Sequence, residues 1–73
     1  MNRINKAIGY LKARKSYNRF KEDKNTILRD IDRLNNEGGS SVHGVTYGIV
    51  GVINGRFKNA FNMIEFKKII QGL

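Results

Sequence analysis

Residues 42–53 read VHGVTYGIVGVI, and Asn54-Gly55-Arg56-Phe57-Lys58 follows directly. β-Branched and aromatic residues dominate this stretch, which is strand composition, and Asn-Gly is the dipeptide whose tolerance of positive φ suits a two-residue type I′ turn. The reading is therefore strand, tight turn, strand: a β-hairpin over about residues 42–61. In that register Val52 faces Phe57, Val50 faces Asn59 and Gly48 faces Phe61, with Ile49, Ile53, Arg56, Lys58 and Ala60 on the other side. The two faces do not separate cleanly into polar and apolar. Gly44, Gly48, Gly51 and Gly55 recur every three or four residues. Within strands such glycines mark bulges or close backbone approach rather than regular ladder positions. They fit neither GxGxxG nor a P-loop, so a phosphate cradle is set aside.

Upstream of this stretch the texture is helical. Ile4, Ala7, Ile8 and Leu11 fall at i, i+3, i+4 and i+7, one face of a first helix. Beyond Leu11 that stripe would run through the polar Arg14, Lys15 and Asn18, while Tyr10, Ala13, Tyr17 and Phe20 define a second stripe. The helix must bend or stop near Lys12–Ser16, with Ser16 available as the N-cap of a second segment; continuity through Lys21 stays open. Asp23 or Asn25 can cap the next helix, in which Ile27, Leu28, Ile31 and Leu34 form the apolar face and Gly38 offers a left-handed stop. Downstream, Asn62 and Glu65 have capping-box spacing, and Ile64, Phe66, Ile69 and Ile70 are read as one apolar face before Gly72. The expected fold class is α+β: two N-terminal helices, the hairpin and a short C-terminal helix in a single small basic domain, residues 1–73.

At 73 residues the chain has room for one modest core and none for a deep substrate cavity beside it. Hydrophobic residues make up 40% of it, enough for a folded core. There is no cysteine and one histidine, which removes disulfides, thiolate chemistry and zinc knuckles. No apolar run approaches a membrane span, and the N-terminus MNRINKAIGYLKARK lacks the apolar stretch and cleavage site of a signal peptide, so a cytoplasmic protein is expected. The net charge of +8 is unevenly placed. Residues 1–21 hold seven Lys/Arg and no acid, residues 22–37 are net −2, and residues 38–73 are net +3. A block of cations without interspersed carboxylates calls for a polyanionic partner; its plain alternative is a solvated helix face.

Nothing in the sequence assembles a nucleophile, base and orienting group, so no catalytic residue, metal site or cofactor is expected. His43, beside Ser40 and Ser41, reads as a loop residue. Asp30 and Asp32 point apart on a helix and read as solvent-facing groups or partners of Arg29 and Arg33. The candidate nucleic-acid-binding residues fall in three sets. Arg3, Lys6, Tyr10, Lys12, Arg14, Lys15 and Arg19 belong to the N-terminal block, where a ring among cations can stack on a base while the charges follow phosphates. Asn25, Thr26, Arg29 and Arg33 lie opposite the apolar face of the next helix and have the donors that read base edges or hold phosphates. Arg56 and Lys58 project from the expected hairpin tip, where a wing can enter a minor groove.

The segment TILRDIDRLNNEGG, Thr26 to Gly39, resembles the recognition helix of winged helix-turn-helix regulators. The later VINGRFKNAFNMIEFKKII is similar to the wing and closing helix of small phage and transposon excisionases. Together they span about residues 25–70. The resemblance implies that Thr26, Arg29 and Arg33 lie in the major groove while Arg56 and Lys58 sit on the wing. The stretch between Leu11 and Thr26 is shorter than the usual helix-turn-helix before a recognition helix. The expectation is a non-catalytic nucleic-acid-binding protein, with duplex DNA the favoured partner and a regulator or excisionase-like accessory role. The alternative is a small phage-type inhibitor or adaptor, anti-CRISPR-like, that binds an acidic protein surface or a ribonucleoprotein. No membrane partner is expected, and the hairpin is where a homodimer would form.

Overall fold

A computed structural model of the chain describes residues 2–37 and 41–73. Five helices run in order: α1 (Arg3–Lys12), α2 (Tyr17–Glu22), α3 (Lys24–Glu37), α4 (Gly44–Phe57) and α5 (Met63–Gln71). Among the described residues there is no strand, so the α+β expectation is replaced by an all-helical fold.

Residues 44–57, expected within the hairpin, form α4. Thr46, Ile49 and Ile53, at i, i+3 and i+7, are all fully buried, which is helical and not strand periodicity. Gly44, Gly48, Gly51 and Gly55, at i, i+4, i+7 and i+11, line the opposite side of the same helix, where a Cβ on any of them would meet no atom within 4 Å. The repeat attributed to bulges is thus the exposed stripe of α4. Asn54 and Gly55 lie inside the helix, so there is no type I′ turn, no wing and no hairpin edge for a homodimer. The chain reverses three residues later: Lys58 and Asn59 take left-handed backbone at φ 54° and 59°. The amide N–H groups of both donate to the Asn54 carbonyl.

What starts α4 is a carboxylate from α3. Asp30 is fully buried, and its Oδ2 accepts from the His43 backbone N–H at 2.8 Å and from the Thr46 hydroxyl at 2.8 Å. The His43 Nδ1 lies 2.9 Å from the same oxygen. An anion at the first turn of a helix complements the unpaired N–H groups and the macrodipole there. Asp30 is therefore neither solvent-facing nor a partner of Arg29 or Arg33, and His43 is a helix-start residue rather than a plain loop residue. Burial by itself raises the Asp30 pKa, but the His43 backbone N–H, the His43 ring and the Thr46 hydroxyl outweigh it and lower the value from 3.8 to about 2.

The remaining helices largely follow their patterns. α1 ends at Lys12 and α2 begins at Tyr17, so the first helix is broken; Ser16 stands at the α2 N-cap, but its side chain makes no capping bond. Asp23 ends α2 immediately before α3. The expected Gly38 stop lies outside the described residues, as does Ser40. α5 opens with the complete capping box of Asn62 and Glu65. Ile64, however, is 67% exposed, so the buried face of α5 is Phe66, Ile69 and Ile70. These three join Ala7, Leu11, Phe20, Ile27, Ile31, Ile49 and Ile53 in one core, with α5 packed on both α1 and α3, and α4 and α2 packed on α3. Truncating a fully buried isoleucine such as Ile31 to alanine would remove roughly 2–5 kcal/mol. No helix of the described residues is long and apolar enough to cross a membrane.

Candidate nucleic-acid interface

α1 carries its cations beside the core face. Arg3, Lys6 and Tyr10 share one side, and Arg14, just past the helix end, donates to the Tyr10 hydroxyl at 2.8 Å with its guanidinium 5.5 Å from the Tyr10 ring centre. The last turn of α4 meets them: Phe57 packs edge-on to Tyr10 at 5.9 Å, and the Arg56 guanidinium lies 5.6 Å from both ring centres. Arg3, Lys6, Tyr10, Arg56 and Phe57 enclose an open cleft of about 520 Å³. Edge-to-face contacts continue from Phe57 through Phe61 to Phe66, which fixes the cleft floor to the core.

Arg3 is the anchored member. It donates to the Ala60 carbonyl, pairs with Glu65 and lies over the Phe61 ring at 5.1 Å, tying α1 to the segment before α5. The Asn62 backbone N–H and the Arg3 guanidinium both favour the charged Glu65 carboxylate and hold its pKa below the ordinary value. Among the described residues, Lys6, Arg14 and Arg56 have no ion pair at all.

The rest of the N-terminal block is dispersed. Lys12 is exposed, two residues on from Tyr10 and so on the opposite side of α1. Lys15 is exposed in the turn between α1 and α2, and Arg19 stands 3.8 Å from Asp23. Lys21 lies over the Tyr17 ring, whose hydroxyl donates to the Leu73 carbonyl; Tyr17 and Phe20 both turn inward, as their spacing suggests.

On α3, Asn25 and Arg29 are exposed, while Thr26 and Arg33 are half-buried. Arg33 Nη1 stands 3.5 Å from the Ser41 carbonyl, and Arg29 carries no ion pair among the described residues. Asp32, expected as a solvent-facing group or a partner of the arginines, is exposed and pairs with Lys67 of α5 at 2.9 Å. No described hydrogen bond, ion pair or ring contact joins the α3 set to the α1/α4 cleft. Lys58, expected on a wing with Arg56, is exposed at the α4 C-cap, away from the cleft lining.

The structure thus unites Arg3, Lys6, Tyr10, Arg14 and Arg56, and leaves Lys12, Lys15, Arg19, Lys58 and the α3 set outside. Phe57 is the residue that the sequence did not offer: only the approach of the α4 end to α1 makes its ring part of this surface. A larger hollow of about 650 Å³ lies around Phe61, Met63 and Phe66, but asparagines supply its polarity and no charged side chain lines it. For a polyanion the cationic cleft is the better fit. Comparison with protein-family models, curated proteins and solved structures finds no match for this chain.

Proposed function

We propose that the chain is a non-catalytic nucleic-acid-binding protein that engages a phosphate backbone with its cationic surface. The observation that carries this reading is the allocation of the carboxylates. Asp30 is buried at the start of α4, Asp32 pairs with Lys67, and Glu65 pairs with Arg3. Among the described residues Lys6, Arg14 and Arg56, around Tyr10, and Arg29 on α3 are left without an ion-pair partner. An ordinary surface laced with ion pairs would show the reverse. With the hairpin gone, duplex docking has no wing and rests on the exposed α3 face alone, where Asn25 and Arg29 remain available.

The test is a mobility-shift panel with duplex DNA, single-stranded DNA and RNA at several salt concentrations. Neutralising about six phosphates releases counterions and gives log K against log salt a slope near −5 on a duplex and near −4 on a single strand. A slope near zero, or no binding at low salt, refutes the reading. Capture of an acidic protein that survives nuclease treatment, with no nucleic-acid binding, would place the chain instead among inhibitors or adaptors.

A further inference from the structure

We infer that the α1/α4 cleft holds an unstacked base of a single strand, with Arg56, Tyr10 and Phe57 as the stacking platform and Lys6 and Arg14 on the flanking phosphates. This rests on the nucleic-acid reading above and adds the form of the ligand to it.

Tyr10 and Phe57 are half-buried, stand almost perpendicular at 89° and both line the concavity, so a base stacked on one ring stands edge-to-face with the other. A duplex presents phosphates outward and keeps its base faces covered, so it could not use those rings. An unpaired base has a free π-face and can. The volume of about 520 Å³ falls within the roughly 300–1,000 Å³ typical of small-ligand sites, which suits a nucleotide.

The cations complete the case. Arg56 lies against both rings with no carboxylate partner and no hydrogen bond among the described residues, and a planar guanidinium so placed can stack on a base. Arg14 is held to the Tyr10 hydroxyl through one nitrogen, which leaves its other donors for a phosphate. Lys6 lines the cleft as a point charge. Arg3 serves differently: its carbonyl, carboxylate and ring contacts all belong to the fold, so it sets the wall rather than the ligand.

Fluorescence anisotropy would test this with four labelled probes of equal length: oligo-dT, oligo-rU, an abasic deoxyribose-phosphate strand, and a DNA duplex. The expected result is that oligo-dT or oligo-rU binds the wild-type protein about fivefold or more tightly than the abasic strand, because stacking is a per-base term that the abasic strand lacks. Tyr10→Leu should erase that preference and Tyr10→Phe should keep it. If Tyr10→Leu does not fold, Arg56→Lys serves instead: it keeps the charge and removes the plane, so binding of the strands with bases should weaken while the abasic strand is unaffected. Equal affinity of wild-type protein for based, abasic and duplex probes would overturn the cleft assignment and leave the nucleic-acid reading standing. Failure to bind any probe at low salt would overturn both.

Discussion

Replacing Gly48 and Gly51 of α4 by alanine should stabilise the protein, and the size of the gain follows from where the two residues lie. Both are interior to a 14-residue helix, neither has positive φ, and a Cβ at either would meet nothing within 4 Å. The substitution therefore adds no clash. It removes the entropy that a helical glycine loses on folding, about 0.8–1.0 kcal/mol at each site. The double variant should gain roughly 1.5–2 kcal/mol, which for a domain of this size raises Tm by roughly 6–16 °C. Urea and thermal unfolding followed by far-UV circular dichroism would measure it, with unchanged helical signal as the check on fold. Gly72→Ala provides the contrast: its Cβ would run into the Ile8 side chain, so the gain should be absorbed by the displacement of Ile8. If residues 44–57 were strand, turn and strand, the glycines would sit at bulges and alanine would not help. A loss of stability in the double variant, or a gain no larger than that of Gly72→Ala, would refute the helical account of α4.

The buried carboxylate supports a second contrast. Asp30→Ala leaves the His43 N–H and the Thr46 hydroxyl without their acceptor inside the protein and should remove about 3 kcal/mol, whereas Asp32→Ala breaks only an exposed pair with Lys67 and should remove less than about 1 kcal/mol; comparable urea midpoints for the two would contradict this. Because the Asp30 pKa is lowered in the folded state, from 3.8 to about 2, its contribution is complete above about pH 4 and is lost as pH falls from there towards 2. Urea midpoints measured from pH 5 to 2 should decline over that window, with a shallower decline in Asp30→Asn. Lys58→Gly relieves a left-handed residue bearing a Cβ and should gain about 1 kcal/mol, read as a rise in Tm at high salt where the lost charge matters least.

The helices that sequence reading found share a property: their apolar residues are not in competition with another pattern. Ile4, Ala7, Ile8 and Leu11 stand among polar neighbours, as do Ile27, Ile31 and Leu34, so the 3.6-residue period is visible. In α4 it is hidden, because apolar residues occur on nearly every side and β-branched composition argues for a strand. What remained legible was the glycine period of four, three and four, which a helix places on one side and a strand would scatter across both faces. Tertiary packing of Thr46, Ile49 and Ile53 then overrides the propensity of valine and isoleucine. Ile64 failed for a simpler reason: it lies two residues from Phe66, and that separation turns it to the far side of α5.

The same angular argument explains why the carboxylates went astray and why the interface changed with them. Asp30 adjoins Arg29 in sequence, yet on a helix it lies three residues after Ile27 and one before Ile31, on the flank of the buried face. A carboxylate so placed needs donors from another element, and only the packing of α4 on α3 supplies them, through His43 and Thr46. Committing Asp30 to the interior leaves Arg29 without its nearest counter-charge, and with Asp32 turned towards Lys67 the partner of Arg33 among the described residues is the Ser41 carbonyl. At the other end of α4, helical phase swings Arg56 and Phe57 onto Tyr10, whereas a hairpin would have projected Arg56 and Lys58 together into solvent. One change in the secondary structure of residues 44–57 thus moves the proposed anion-binding surface from a wing to a cleft lined by two aromatic rings. The proposed ligand moves with it, from the outside of a duplex to the face of an unpaired base.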